Sequence, residues 1–171
     1  LSSQETWLRQ HGGEQDAWKM PTWNGRPRIQ KPPLLVWLNL AAWHGLTPAN
    51  ATVDNLVLRS RVVAVLLALL AAAGAYWTGY TLRGIRLATL AALATGTGIF
   101  FIRQARYASY DTHIMGWATL AVASALWAMR APPRQTRRIA AGWLLTVFFL
   151  TAANYTKGPL GLALTLPPIA V

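Results

Sequence analysis

The chain divides into a polar opening and a series of long apolar runs. Residues 62–80 form an uncharged stretch of nineteen residues, close to the roughly 20 that a helix needs to cross a hydrocarbon core. Shorter apolar runs follow at 87–102, 114–129 and 139–153, and a fifth begins at residue 158. Flanking Trp, Tyr and Arg residues can extend such runs at the membrane surface. The pattern therefore predicts four spanning helices and the start of a fifth.

The opening segment, residues 1–61, differs from the rest of the chain because its apolar stretches are short. We expect a short helix near residues 4–10 and an interfacial segment at 34–43, which is too short to span. A polar break covers residues 47–55, and Thr47 before Pro48 predicts a helix N-terminus there. The sequence thus predicts an all-α, polytopic membrane helix bundle with two parts. Residues 1–61 would be an extracytoplasmic loop with interfacial helices, and residues 62–171 the transmembrane bundle.

Composition supports a membrane protein and excludes several other classes. The chain is 54% hydrophobic, has nine Trp and carries a net charge of +11, which is unlike an ordinary soluble domain. The cations sit between apolar runs and do not line one polar face, so binding to nucleic acid is disfavoured. Anionic or phosphorylated lipids are the better partners. Because Cys is absent from the sequence, disulfides and thiolate sites are excluded. The last apolar run stops at Val171, and we expect the sequence to be part of a longer protein.

The loops between the predicted spans differ in charge. Loops 81–86 and 130–138 together carry six Arg, whereas loops 103–113 and 154–158 carry three cations. The positive-inside rule places the more basic loops in the cytoplasm. The opening segment then lies outside, although it carries seven cations of its own. Those cations run against the rule, which suggests that they serve a ligand.

A basic, proline-rich stretch closes the opening segment and is the first candidate site. Lys31 precedes Pro32 and Pro33, and Arg26 and Arg28 lie just upstream. Proline restricts its own φ and the conformation of the residue before it, so this corner is stiff and holds its lysine in one direction. A fixed cation beside a membrane suits phosphate recognition. The alternative is that these cations only anchor the chain among lipid headgroups.

Two further polar motifs fall in loops on the same predicted side of the membrane. Asp111 begins a spanning run, with Arg106 and His113 nearby, and Lys157 precedes Gly158. Charged residues at the edge of spanning helices are costly unless paired or wetted, which makes them functional candidates. The alternative for Asp111 is a carboxylate that favours a helix N-terminus through the helix dipole. His113 alone is more typical of a polar helix interface than of a metal site.

The three motifs, in this order, resemble a family of membrane enzymes. They are Trp23-Asn24-Gly25-Arg26-Pro27-Arg28-Ile29-Gln30-Lys31-Pro32-Pro33-Leu34-Leu35-Val36-Trp37, the Ala105-Arg106-Tyr107 to Asp111 segment, and Thr156-Lys157-Gly158-Pro159. Together they resemble the N-terminal third of GT-C superfamily glycosyltransferases. Within that superfamily, the similarity is to dolichyl-phosphate-mannose protein mannosyltransferases and aminoarabinose lipid A transferases.

The resemblance implies a fold, a donor and site residues. It implies many spanning helices, a first extracytoplasmic loop of amphipathic helices, and a sugar donor carried on polyprenyl phosphate. The acidic pair of that loop, usually Asp-Glu, corresponds to Gln4-Glu5, so only Glu5 keeps a carboxylate. The lysine of the Lys-Pro motif corresponds to Lys31, and the aspartate after Ala-Arg corresponds to Asp111. Gln30 stands where the aminoarabinose transferases often have Glu, which weakens the case for a metal ligand at this position.

These observations predict transfer of a sugar from polyprenyl phosphate to a lipid, protein or glycan acceptor. The predicted catalytic residues are Glu5, as general base or acceptor-orienting carboxylate, and Asp111. The predicted substrate-binding residues are Lys31, Arg28, Arg106 and Lys157. Of these, Lys31, Arg28 and Arg106 would bind the lipid phosphate. For Glu5 the alternative is a solvated acid at a helix N-terminus.

We expect no cofactor and no metal-binding residues; a divalent cation is an alternative that the sequence does not support. We expect an integral protein of a bacterial inner membrane, with its active face extracytoplasmic. A lipid-phosphate carrier or transporter is the alternative function, and it would favour charges midway along a span. A purely structural membrane subunit is a third reading, in which the stiff Lys-Pro and Lys-Gly corners would have no use.

Overall fold

The computed structural model describes residues 2–28, 31–107 and 109–170, with backbone only for residues 100 and 170. The described elements are, in chain order, α1 (Ser2–His11), β1 (Thr22–Trp23), β2 (Arg26–Pro27), α2 (Leu34–Ala42), α3 (Val53–Arg83), α4 (Ile85–Thr97), α5 (Ile99–Arg106), α6 (Tyr110–Met129), α7 (Thr136–Lys157) and α8 (Leu160–Ala170). The described part of the chain is mostly helical, as the apolar pattern predicts, and it also contains one small hairpin, β1–β2, which that pattern did not predict. Gln30, which replaces the Glu that the resemblance leads one to expect as a metal ligand, lies outside the described residues.

Helix α6 is the centre of the bundle and packs between α3 and α7. Small residues allow this close contact, since a Cβ on Gly116 would lie 2.7 Å from the carbonyl oxygen of Leu67. On the other side, buried Ser124 and Thr146 hydroxyls lie 3.0 Å apart. In lipid there is no hydrophobic driving force for helices to associate, because the lipid tails are as apolar as the side chains. Helices are instead held together by the close packing that small residues allow and by interhelical hydrogen bonds.

Among the described residues, two helices, α3 and α7, are long and apolar enough to cross a membrane. Apolar side chains of α7 such as Leu144, Val147 and Phe148 are exposed, which suits a lipid-facing surface. The chain is an all-α integral membrane protein. Helices α3 and α6 begin, and α7 ends, at the same end of the bundle, which we call the site end. The loop between α6 and α7 lies at the opposite end, the far end.

The opening segment packs against the bundle. Trp7 of α1 meets Trp43 after α2 edge to face, with ring centroids 6.5 Å apart. Trp43 also donates its indole N–H to the carbonyl of Leu56 in α3, at 2.9 Å. The predicted helix near residues 4–10 is confirmed as α1. The opening segment is therefore fixed at the site end of the bundle.

The structure differs from the predicted helix ends at two places. Thr52, and not Thr47, caps α3, with its hydroxyl accepting from the N–H of Asn55. Thr47 instead belongs to a turn, in which its N–H donates to the Asn50 side chain. The apolar run 87–102 is not one helix, because Gly98 breaks it into α4 and α5. Two glycines among residues 95–98 lower helix propensity there enough for the chain to bend.

Candidate active site

A hairpin positions the basic stretch at the site end. Strands β1 and β2 pair antiparallel through a turn at Asn24-Gly25, where both residues have positive φ. Asn-Gly is the favoured sequence for such a type I′ turn, because both residues tolerate φ above zero. The N–H of Arg28 then donates to the carbonyl of Pro21 at 2.8 Å. The hairpin thus delivers Arg28 and the following Lys31 toward the start of α6.

Lys31 and Arg28 converge on the ring of Tyr110. The Lys31 Nζ lies 4.5 Å from the ring centroid, and the Arg28 guanidinium carbon lies 5.6 Å from it. Arg28 also lies 5.4 Å from the Trp23 ring. Cations are attracted to aromatic faces at such distances. Tyr110 therefore gathers two predicted phosphate-binding cations beside Asp111, and sequence reasoning did not single Tyr110 out.

Asp111 forms an ion pair with Lys157, across 46 residues of sequence. Ser109 caps α6, with its hydroxyl accepting from the N–H of Thr112, and Asp111 follows in the first helical turn. Lys157 is the last residue of α7. The Asp111 side chain remains 49% exposed, so it stays accessible to a ligand. Lys157, a predicted substrate-binding residue, is engaged with this carboxylate.

A pocket of about 400 Å³ opens beside this cluster. Gln4, Arg28 and Arg106 line it, as does Tyr110. Most of its remaining wall is apolar or aromatic, formed by Trp23, Leu35, Val36, Trp43, Val53, Leu56, Val57 and Tyr107. Cationic groups beside an apolar wall suit an amphiphile with a charged head.

Arg106 adjoins a second cluster of cations. It ends α5, and with Arg61, Arg103 and Tyr107 it lines a neighbouring cleft of about 390 Å³. Of the three arginines in this cleft, Arg61 and Arg106 also line the pocket beside Tyr110. Positive charge thus extends across the site end from the hairpin to α5.

Glu5 is bound into the hairpin. Its carboxylate accepts from the Thr22 hydroxyl at 2.6 Å and from the N–H groups of Asn24 and Gly25, both at 2.8 Å. The Thr22 and Gly25 hydrogen bonds are the main causes that lower the pKa of Glu5, and the Asn24 N–H adds to them. A carboxylate stabilised by three donors is a weak base. Gln4, its neighbour, is the residue of the pair that lines the pocket.

Several cations of the opening segment have partners within the protein. Arg59 donates to the carbonyls of Ala42 and His44, at 3.1 and 3.0 Å, and so closes the end of α2. Arg9 pairs with Glu14, and Lys19 pairs with Asp16. Three of the seven cations of this segment therefore have structural partners. The expectation that its excess positive charge serves a ligand now applies only to the other four.

The described residues do not provide a metal centre. Among them, no three His, Asp or Glu side chains come together in a group able to hold a metal ion. His113 is fully buried within α6, and its Nδ1 lies 2.7 Å from the carbonyl of Ser109.

The fold and this site define a helical membrane protein with a cation-lined pocket at one end of its bundle. A family model described as dolichyl-phosphate-mannose-protein mannosyltransferase matches residues 32–169. The chain belongs to this family, and it is a membrane glycosyltransferase. No curated protein and no solved structure matches the chain. The resemblance stated from the motifs is thereby confirmed at the level of the family.

Proposed function

We propose that this glycosyltransferase moves a sugar from a polyprenyl-phosphate donor to a hydroxyl of a lipid, protein or glycan acceptor at the extracytoplasmic face. The observation that carries the proposal is the convergence of Lys31 and Arg28 on Tyr110, one residue before Asp111. Segments far apart in sequence thus bring cations and a carboxylate to one end of the bundle. The family's description, which includes a dolichyl-phosphate mannose, supports a lipid-phosphate donor.

The cations would bind the donor phosphate. As the acceptor oxygen attacks the anomeric carbon, the bond from that carbon to the phosphate oxygen breaks, and its electron pair stays on the phosphate. Charge therefore grows on the leaving group. Lys31, Arg28 and Arg106 would stabilise it through charge-assisted hydrogen bonds. The apolar wall beside Arg28 would accommodate the first part of the lipid chain.

Asp111 is the carboxylate best placed to face the acceptor or the sugar. The acceptor hydroxyl must lose its proton as the new bond forms, and a nearby carboxylate can accept or orient it. Asp111 directly follows Tyr110, on whose ring Lys31 and Arg28 converge, and its side chain is half exposed. Lys157 would act by holding this carboxylate in place. Glu5 would be a positioning residue, because its hydrogen bonds fix the hairpin that carries Arg28.

Charge distribution supports the proposed sidedness. The far end carries six Arg in its two loops, and the rule that cationic loops stay in the cytoplasm would place that end inside. The site end would then face outward. In a bacterium this would correspond to the outer surface of the inner membrane, where lipid-linked sugars are available to extracytoplasmic acceptors.

The test is sugar transfer by the full-length protein reconstituted in lipid nanodiscs, with labelled polyprenyl-phosphate mannose as donor. Loss of one charged hydrogen bond costs about 1.5–3 kcal/mol, so Lys31→Ala should lower kcat/KM by roughly 10-fold to 100-fold. Arg28→Ala should do the same. Lys19→Ala is the matched control, because Lys19 belongs to the same opening segment and pairs with Asp16.

Two results would reject the assigned roles. One is wild-type kcat/KM in both Lys31→Ala and Arg28→Ala. The other is an equal loss in Lys19→Ala, which would indicate a general effect of charge on the segment. Transport of the intact lipid phosphate without sugar transfer by the wild-type protein would favour the carrier function instead.

A further inference from the structure

A second cluster of cations lies at the far end, remote from the candidate active site. Arg134, Arg137 and Arg138 line a cleft of about 360 Å³ together with Gln135 and Thr136. Three like charges within five residues repel one another. The five acidic residues of the sequence are Glu5, Glu14, Asp16, Asp54 and Asp111, and each belongs to the opening segment or to an N-terminal turn of α3 or α6. None of the five carboxylates therefore lies in the α6–α7 loop or next to it in sequence, where it could neutralise these arginines.

The cluster also sits where cations are least favoured on a helix. Arg137 and Arg138 follow Thr136, the first residue of α7, and the first helical hydrogen bond runs from the N–H of Ile139 to the carbonyl of Gln135. The three preceding amides point out of the helix end, and the Gln135 side chain does not cap them. The helix dipole makes this end positive, so it repels cations and attracts anions.

Arg138 is held in place around this cleft. Its guanidinium carbon lies 5.1 Å from the centroid of the Trp127 ring on α6. Its Nε is buried and, among the described residues, has no hydrogen-bond partner. A buried donor without a partner carries a desolvation cost. Arg134 and Arg137 are exposed and free to approach the same ligand.

By contrast, another arginine of the far end is used within the protein. Arg130 donates to the carbonyls of Thr81 and Leu82, both at 3.0 Å, and so closes the last turn of α3. Within the cleft, Arg138 donates from its Nη1 to the side-chain oxygen of Gln135 at 3.4 Å. Among the described residues, Arg134 and Arg137 make no hydrogen bond to a carbonyl group, and they are exposed. Arg134 and Arg137 are therefore the part of this basic end that is open to a partner.

We propose that this cleft binds the phosphate of an anionic phospholipid headgroup. Guanidinium forks and free amides match phosphate oxygens in both charge and geometry. The sequence after Arg138 becomes apolar at once, and exposed Trp143 and Leu144 follow within two turns of α7. The cleft therefore lies where spanning helix meets headgroups. A phospholipid seated here would brace the α6–α7 connection, independently of the reaction at the site end.

The test uses the full-length protein in neutral detergent, with native mass spectrometry to count bound lipids and thermal unfolding to measure their effect. Phosphatidylglycerol is the anionic probe, phosphatidylcholine the zwitterionic one, and inorganic phosphate the free anion. We expect phosphatidylglycerol adducts and a raised Tm, with little effect from the other two. The double variant Arg134→Gln/Arg137→Gln should weaken phosphatidylglycerol binding at least 10-fold.

Arg83→Gln/Arg86→Gln is the matched control, since it removes two charges from the other loop of the same end. It should keep phosphatidylglycerol binding within about 2-fold of wild type. Equal loss of phosphatidylglycerol binding in both double variants would reject the cleft as the binding site and would indicate attraction by diffuse surface charge. Equal stabilisation by phosphatidylcholine would overturn the charge requirement. A shift produced by inorganic phosphate alone, and abolished by Arg134→Gln/Arg137→Gln, would overturn the lipid as the ligand.

Discussion

Lys157, the last residue of α7, forms an ion pair with Asp111 in the first turn of α6. The pair joins two helix ends at the site end of the bundle. A carboxylate is favoured at a helix N-terminus and an ammonium at a C-terminus, so each residue also stabilises its own helix. The pair neutralises Lys157, which leaves Lys31 and Arg28 as the cations that the structure groups around Tyr110.

The ion pair should show measurable coupling. In a double-mutant cycle of Asp111→Asn and Lys157→Met, we expect a coupling energy of about 0.5–1 kcal/mol, because both side chains are partly exposed. Unfolding of the purified protein in mixed detergent micelles gives the four free energies of unfolding. Additive effects of the two single substitutions would show that the pair does not couple the helices.

Tyr110 should matter through its ring and not through its hydroxyl. Tyr110→Leu removes a cation–aromatic contact worth about 0.5–1 kcal/mol at a partly exposed site, so the KM for polyprenyl-phosphate mannose should rise roughly 2-fold to 5-fold. Tyr110→Phe is the matched control and should keep the wild-type KM. If both variants behave alike, the ring is not what orders the cations.

Glu5 should make the hairpin sensitive to acid. Its pKa is lowered from the ordinary value of 4.5, so the folded state favours the ionised carboxylate. The resulting stabilisation is present above the unfolded pKa and is lost as the pH falls through the folded pKa. We expect limited proteolysis within residues 12–28 to accelerate below pH 4.5 in the wild-type protein.

Substitution of Glu5 provides the control for this acid sensitivity. Glu5→Gln should be cleaved faster already at pH 7, with a weaker pH dependence. Asp16→Asn, which alters an exposed acid of the same segment, should keep the wild-type profile. An unchanged profile in Glu5→Gln would show that the carboxylate does not hold the hairpin.

Close packing of α6 on α3 should make Gly116 intolerant of a methyl group. Its Cβ would lie 2.7 Å from a backbone oxygen of α3, and overpacking of this kind costs about 1–3 kcal/mol. Gly96→Ala is the control, because a Cβ there meets nothing within 4 Å, and it should be neutral or stabilise by up to about 1 kcal/mol. The free energy of unfolding in detergent compares them, and equal effects would contradict the observed packing.

Part of the site could be predicted because its residues stand next to structural signals. Lys31 precedes two prolines, and Asp111 and Lys157 stand at the ends of apolar runs. The sequence therefore identifies all three as candidate site residues. The hairpin was missed, although Asn24-Gly25 is a strong local signal for one. Tyr110 was also missed, because a tyrosine at a helix start has many ordinary uses. Only its position beside Lys31 and Arg28 distinguishes it.

The sequence by itself determined the fold class, and it determined that the charged residues lie in the loops between the apolar runs. Long uncharged runs can satisfy their backbone in a membrane only as helices, so that conclusion depends on local composition alone. Tertiary structure decided which charges are paired. Lys157 finds Asp111 across 46 residues, and Glu5 binds a turn 19 and 20 residues away. Such pairings depend on how helices pack, and helix packing is set by contacts between segments that no single stretch of sequence contains.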